Sequence, residues 1–295
     1  VNGKAIAIAG PTASGKSALA LERAEALARD GQRAIIVNTD SMQVYPVLRV
    51  LTARPGKEDL ARADHALYGH APLDEPYSVA RWARDVVTLL PEWEREGIVP
   101  IFTGGTGLYF RALETGLSPV PTIDPAIREK VRAELSADGP HALHTRLAKL
   151  DSDGAAALRP SDGQRIARAL EVVESTGRPL AEHQQGDASP LLDGWALERW
   201  IVEPSRAVLH DKIERRCGQM LKEGALTEVE ELLHLNPPPQ ATVWKAIGVP
   251  QLAAHLRGEV SIGEACQKMI AATRQYAKRQ STWFRGQMGP DWQRV

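Results

Sequence analysis

Gly10-Pro11-Thr12-Ala13-Ser14-Gly15-Lys16-Ser17 follows directly on the apolar run Ala5-Ile6-Ala7-Ile8-Ala9 and leads directly into Ala18-Leu19-Ala20-Leu21. A strand, a glycine-rich turn and a helix N-terminus in that order make a phosphate cradle. The turn's backbone N–H groups converge on one point, and the helix dipole favours negative charge there. In this G-x-x-x-x-G-K-S pattern Lys16 supplies a mobile point charge and Ser17 a hydroxyl ligand for Mg²⁺, while the glycines let the backbone approach a ligand closely. Residues 10–17 are therefore assigned to a phosphate or pyrophosphate, with the compound that carries it left open.

Two more short apolar runs, Ala34 to Val37 and Val99 to Phe102, read as strands, and Ser17 to Arg29 and Val79 to Glu96 read as helices between them. Strand and helix in alternation predict a parallel sheet flanked by helices, an α/β fold of the P-loop NTPase type. In such sheets ligands bind at the carboxyl ends of the strands. Besides the loop, two segments fall there: Asn38-Thr39-Asp40-Ser41-Met42-Gln43-Val44-Tyr45 and Thr103-Gly104-Gly105-Thr106-Gly107-Leu108-Tyr109. All three are expected to face one cleft, with Asp40 in reach of Lys16 and Ser17 and the Gly104–Gly107 turn offering further N–H groups and a hydroxyl. Asp40 also fits a helix cap or a turn residue.

After Gly116 the pattern changes. Asp124-Pro125 opens a charged, helical stretch to about residue 185 without a strand signal, which reads as an all-helical insertion domain. Within it a helix capped by Ser161 or Asp162 carries Arg165 and Arg168 on one face. Trp200-Ile201-Val202 reads as a returning strand, Ala207 to Leu235 as a long helix broken at Gly224, and Asn236-Pro237-Pro238-Pro239 as a linker before further helices. The expected division is a P-loop core of residues 1–117 and 195–295, with a helical C-terminal part, and an insertion of residues 118–194.

At 295 residues, 43% hydrophobic and 25% charged, the chain can bury a full core. No apolar segment is long enough to cross a bilayer, and a strand so near the start leaves no room for a signal peptide. Two cysteines, Cys217 and Cys266, lack a C-x-x-C partner, and His141 and His144 alone cannot make a structural zinc site. The reducing cytoplasm is the expected compartment. The net charge of −1 hides an uneven distribution: Ala265 to Pro290 contains no Asp or Glu but has Lys268, Arg274, Lys278, Arg279 and Arg285 among Tyr276, Trp283 and Phe284. That composition suits single-stranded nucleic acid, with cations on phosphates and rings on bases, and it suits a solvated amphipathic helix equally.

Five blocks, Gly10 to Ser17, Asp40-Ser-Met-Gln43-Val-Tyr45, Gly104-Gly-Thr-Gly-Leu-Tyr109, Gln164-Arg-Ile-Ala-Arg168 and Lys278-Arg-Gln-Ser-Thr-Trp-Phe-Arg285, occur in the order and spacing of bacterial tRNA dimethylallyltransferases, the IPP transferase family. The chain resembles that family over nearly its whole length. The resemblance implies transfer of a dimethylallyl group from dimethylallyl diphosphate to N6 of adenosine 37, beside the anticodon, in tRNAs reading codons that begin with U. It implies a loop (Gly10, Pro11, Thr12, Ala13, Ser14, Gly15, Lys16, Ser17) that holds an isoprenoid diphosphate with Mg²⁺ rather than ATP, Asp40 as the base, and Thr106 and Arg216, in preference to Arg215, on the diphosphate. It places tRNA contacts at Asp40, Ser41, Met42, Gln43, Thr106 and Arg128, at Gln164, Arg165, Ile166, Ala167 and Arg168, and at Lys278, Arg279, Gln280 and Arg285. The insertion is expected on the anticodon stem-loop, with no membrane partner and a monomeric enzyme. Many members read Gly-Tyr-Arg or Gly-Tyr-Lys where this chain has Gly248-Val249-Pro250.

The residues themselves agree with a transferase. A Walker-type NTPase needs an acid at the end of a second apolar strand to organise Mg²⁺ and water, and the run Val99 to Phe102 ends in Thr103-Gly104. Asp40 is the one strand-end carboxylate: a base if it faces an acceptor, a metal ligand if it does not. Two other readings remain at this level. A metabolite kinase would share the sheet and the loop but gives no reason for the acid-free basic helix, and an RNA-binding protein with a decayed loop should have lost Lys16 or Ser17.

Overall fold

The computed structural model describes residues 3–118, 122–184 and 188–295. Among them, six strands form one sheet: β1 (Gly3–Ala9), β2 (Ala34–Asn38), β3 (Asp64–Ala66), β4 (Val99–Gly104), β5 (Trp195–Ile201) and β6 (Gln293–Arg294). Their order is β3-β2-β4-β1-β5-β6, with every neighbouring pair parallel. The central β1 and β4 are buried on both faces, which is why they read as continuous apolar runs. The edge strands gave no such signal: β3 is Asp-His-Ala and β6 is two exposed residues. β5 starts at Trp195, earlier than its apolar end at Trp200-Ile201 suggests, because Leu197-Glu198-Arg199 pairs along β1 while half exposed.

Side-chain alternation along the strands divides the core. Ile6, Ile8, Ile36, Val99 and Ile101 meet Ala20, Leu21 and Ala24 of helix α1 (Lys16–Arg29). A short α2 (Lys57–Arg62) follows, and on the opposite side Phe102 meets Trp82 and Trp93 of α3 (Val79–Glu96) edge to face, with ring centroids at 6.3 and 6.4 Å. Each such buried side chain contributes about 1.5–3 kcal/mol. The loop after β4 enters α4 (Gly107–Thr115).

The chain divides into two compact units, one of Val1–Glu114 with Leu191–Val295 and one of Thr115–Pro190. The boundaries lie at 114 and 190, where the sequence pattern suggested 117 and 194. The second unit is all-helical in its described residues: α5 (Pro125–Leu150), α6 (Ser152–Ala156), α7 (Gly163–Thr176) and α8 (Leu180–His183). Asp124 caps α5 by accepting the Ala126 N–H at 2.8 Å, and Gly139, at φ +77°, kinks that helix before Pro140. Val131, Leu143, Leu147, Ile166, Leu170 and Val173 form the unit's own core.

The first unit closes with α9 (Arg206–Lys222) and α10 (Ala225–Leu235), separated at Gly224 with φ +102°, then α11 (Val249–Leu256) and the long α12 (Ile262–Gln287). Helix α12 packs on α9 and α11. No helix among the described residues is long and apolar enough to cross a membrane.

Candidate active site

The loop after β1 is held from several sides. Ser14 N–H closes a turn on Pro11 O at 3.1 Å, Ala13 sits in the left-handed region at φ +63°, and Gly15 at φ +107° turns the chain into α1. A left-handed alanine stores a modest strain, of the kind found where a loop is shaped for a ligand. Three cations surround the turn. Lys16 Nζ folds back onto Pro11 O at 3.3 Å, Lys212 Nζ of α9 donates to Ser14 O at 3.3 Å, and Arg216, one turn further along α9, donates to Thr12 Oγ1 at 3.4 Å. Arg215 points elsewhere, into an ion pair with Asp211 at 2.5 Å, and is 72% exposed.

Asp40 follows β2 and is aimed by its neighbours. Buried Asn38 accepts the Asp40 N–H at 2.8 Å and donates from Nδ2 to the carbonyls of Asp40 and Leu67 at 3.0 Å each. Asn38 O in turn accepts the Trp82 indole N–H at 2.7 Å, and Trp82 stacks on Tyr109 at 4.5 Å. Asp40 does make the turn its residue type suggests, since one carboxylate oxygen accepts the Met42 N–H at 2.9 Å. It also lines a cavity. The residues after β4 pack against it: Thr106 N–H donates to Thr39 O at 3.1 Å, and Thr106 Oγ1 accepts the Ser41 N–H at 3.0 Å. Gly104 abuts the Thr39 backbone and Gly107 the Trp283 indole, so these glycines serve close packing, and the Thr106 amide is engaged rather than offered to an anion.

Thr12, Asp40, Ser41, Met42, Arg216, Tyr276 and Arg279 share a cavity of about 250 Å³. Leu51, Ile213, Cys217, Met220 and Met269 make an apolar part of its wall, and Thr52, Lys245 and Thr273 line it as well. Burial lowers the Lys16 pKa to about 8, with Asp40 opposing that shift and Arg216 adding to it. Burial and the Asp40 charge both hold the Tyr276 phenol well above its ordinary pKa, so it stays neutral. Arg216, Lys245 and Arg279, the Asp40 carboxylate and an apolar patch on one cavity can bind an anionic, partly apolar donor and take a proton from an acceptor.

Among the described residues no group of three His, Cys, Asp or Glu could hold a metal by itself. Ser17 and Thr103 line a second, smaller cavity of about 40 Å³, with Asp59 and His65 also in its lining, and Thr103 Oγ1 is buried without a hydrogen-bond partner. The two hydroxyls suit a hard cation such as Mg²⁺ that keeps most of its waters and is also held by bound phosphates.

The IPP transferase family model matches residues 43–287. A tRNA dimethylallyltransferase of Chelativorans sp. (strain BNC1) is 54% identical over 289 residues, 98% of this chain and 97% of that protein. This chain belongs to the IPP transferase family. A second tRNA dimethylallyltransferase, from Rhizobium johnstonii, is 52% identical over 99% of the chain and 96% of its own length. Among solved structures, the full-length tRNA isopentenylpyrophosphate transferase of Bacillus halodurans aligns at TM-score 0.67 and 31% identity, over 99% of this chain and 89% of that one. A eukaryotic dimethylallyltransferase captured acting on tRNA aligns at TM-score 0.78 and 26% identity, over 98% of this chain and 71% of that one.

The IPP transferase blocks divide into surface and interior. Gln280 is buried, and both ends of its amide are engaged inside the first unit: Oε1 accepts the Thr12 N–H at 2.8 Å and Nε2 donates to Gly105 O at 2.9 Å. It clamps the loop after β1 to the loop after β4. Gln43 likewise turns inward, donating to the carbonyls of Thr52 and Ala53 at 2.8 and 3.0 Å. Ile166 and Ala167 both lie in the core of the helical unit, on the α7 face that packs on α5. Gln164 and Arg165 stay exposed at the start of α7, where Asp162 caps the helix and pairs with Arg165 at 3.5 Å. On α12, Lys278 is exposed with no ion-pair partner among the described residues, and Arg279 lies over the Tyr276 ring at 5.6 Å. Arg285 pairs with Glu203 at 2.6 Å. Phe284 is a core residue, so of the three rings in this segment it is unavailable for stacking on a base.

Proposed function

We propose that this chain transfers the dimethylallyl group of dimethylallyl diphosphate to N6 of adenosine 37 in tRNA. The observation that carries this reading is that Asp40 and the hydrogen-bonded Thr12–Arg216 pair line one cavity together with an apolar patch of Leu51, Ile213, Met220 and Met269. The diphosphate fits the cradle of residues 10–17, with Lys16, Lys212 and Arg216 supplying charge, and the five-carbon tail fits the wall of Leu51, Ile213, Met220 and Met269. Family membership leaves no role for the metabolite-kinase reading.

The chemistry is a displacement at carbon. The N6 lone pair attacks C1 of the allyl group, the C1–O bond breaks, and its electron pair leaves on the diphosphate. The N6 amine is a weak nucleophile because its lone pair is delocalised into the ring. Asp40, aimed by Asn38 and held by the Met42 N–H, accepts the N6 proton as the C–N bond forms, a contribution of about 10²- to 10⁴-fold. Arg216 stabilises the charge that develops on the leaving oxygen, and losing one such donor typically costs about 3 kcal/mol. Thr106 fixes the Asp40 loop through Ser41 and offers its hydroxyl to the acceptor side. Mg²⁺, bound through Ser17 and the donor phosphates, would neutralise part of the leaving group's charge.

The acceptor base must leave the anticodon-loop stack to enter the cavity, as for other enzymes that act on a base. Lys278 and Arg279 of α12 and the arginines of the helical unit are suited to the flanking phosphates. Such an enzyme works in the cytoplasm, where tRNA is. Incubation with dimethylallyl diphosphate, Mg²⁺ and unmodified tRNA, followed by nucleoside mass analysis, tests the reading: a C5H8 gain on adenosine is expected, and phosphoryl transfer from ATP to a small metabolite with no change in tRNA would overturn it.

A further inference from the structure

In the helical unit, Arg128 and Arg132 stand one turn apart on α5, and Arg168 and Glu171 one turn apart on α7. All four meet. The Glu171 side chain is only 5% exposed, with Arg132 Nε at 3.4 Å from Oε1, Arg168 at 3.3 Å and Arg128 Nε at 4.0 Å from Oε2. None of the three arginines has another ion-pair partner among the described residues. A buried carboxylate needs partners, and two guanidiniums would give both oxygens one. The third leaves the cluster with two uncompensated positive charges, and Arg128 Nε is buried with no hydrogen-bond acceptor. The arginine side chains remain 41%, 58% and 38% exposed. Each guanidinium has five N–H donors, more than Glu171 can accept, so the cluster presents oriented forks to an outside anion.

We infer that Glu171 organises Arg128, Arg132 and Arg168 into one binding site for tRNA backbone phosphate, with Arg132 its third arginine. The inference rests on the proposed tRNA substrate. Glu171 is a positioning residue: holding the guanidiniums together before RNA arrives removes ordering that binding would otherwise require. Its own negative charge opposes phosphate. Orientation and bulk charge thus make opposite demands at this position, and a single variant separates them.

The experiment measures tRNA affinity of the full chain by filter binding across a salt series, with thermal melts alongside. Arg132→Ala is expected to weaken binding ~3- to 10-fold and to reduce the slope of log K against log salt by about one. Glu171→Gln makes the surface more positive, yet binding is expected to weaken several-fold because the guanidiniums lose their common anchor. Tighter tRNA binding by Glu171→Gln with an intact melt would overturn the inference in favour of a simple charged surface. If that variant fails to melt cooperatively, Arg132→Ala decides, and an unchanged affinity and slope overturn it. Failure of the wild-type protein to bind tRNA would instead count against the proposed function.

Discussion

Raising the pH from 7 to 9 is expected to weaken binding of dimethylallyl diphosphate about tenfold, through one residue. Burial brings the Lys16 pKa down to about 8, with Arg216 pushing the same way and Asp40 opposing. Diphosphate oxygens in the cradle favour the charged form, so the complex keeps Lys16 protonated, and binding takes up a proton wherever the free enzyme has lost one. With a free-state pKa of about 8, about nine-tenths of the free protein carries this charge at pH 7 and about one-tenth at pH 9. The terminal phosphate, with a pKa of about 6, stays ionised throughout. The sign is therefore affinity lost as pH rises through 8, at up to tenfold per unit. Isothermal titration calorimetry in two buffers of different ionisation enthalpy reads affinity and proton uptake together. Lys16→Arg should flatten the profile, and Asp40→Asn, which removes the carboxylate that opposes the shift, should move the break to lower pH. Equal dissociation constants at pH 7 and pH 9, with no proton taken up, would refute the reasoning.

Asp40→Asn keeps the acceptor for the Met42 N–H but not the basicity, so single-turnover transfer should fall ~10²-fold or more while donor and tRNA dissociation constants move only a few-fold. Collapse of donor affinity, rescued by raised Mg²⁺, would make Asp40 a metal ligand instead. Gln280→Met removes two hydrogen bonds at nearly constant shape, leaving Thr12 N–H and Gly105 O unpaired, at a cost of about 1–3 kcal/mol each. A lower melting temperature and a raised donor KM are expected; an unmoved KM would leave Gln280 a packing residue only. Lys278→Ala and Arg279→Ala should each reduce the salt dependence of tRNA binding by about one phosphate contact. Arg285→Ala should do less, since Glu203 already holds that guanidinium, and the same filter-binding series checks the order.

The central sheet and its loops were legible because β1, β2 and β4 are apolar and each is followed by a polar or glycine turn. β3 and β6 were not, being short edges held by backbone pairing to β2 and β5 rather than by apolar side chains. In the site, the loop pattern and Asp40 were readable from residue type and position. The apolar wall was not: Ile213, Cys217 and Met220 recur at helical spacing on α9, a stripe no different in sequence from ordinary core. Lys212 had a usable signal, lying four residues before Arg216 on the same helix face. Motif blocks also blurred roles, since Gln280, Ile166 and Ala167 sit among surface cations yet point inward, and Asn38, which aims Asp40, lies outside every block.

The measurement that bears most directly on the central claim uses two tRNA transcripts identical except for adenosine or guanosine at position 37, each incubated with dimethylallyl diphosphate and Mg²⁺ and digested for nucleoside mass analysis. A site that joins the donor to N6 of one flipped adenosine yields dimethylallyladenosine from the first transcript and nothing from the second. Equal product from both, or none from either while ATP is consumed, would contradict it.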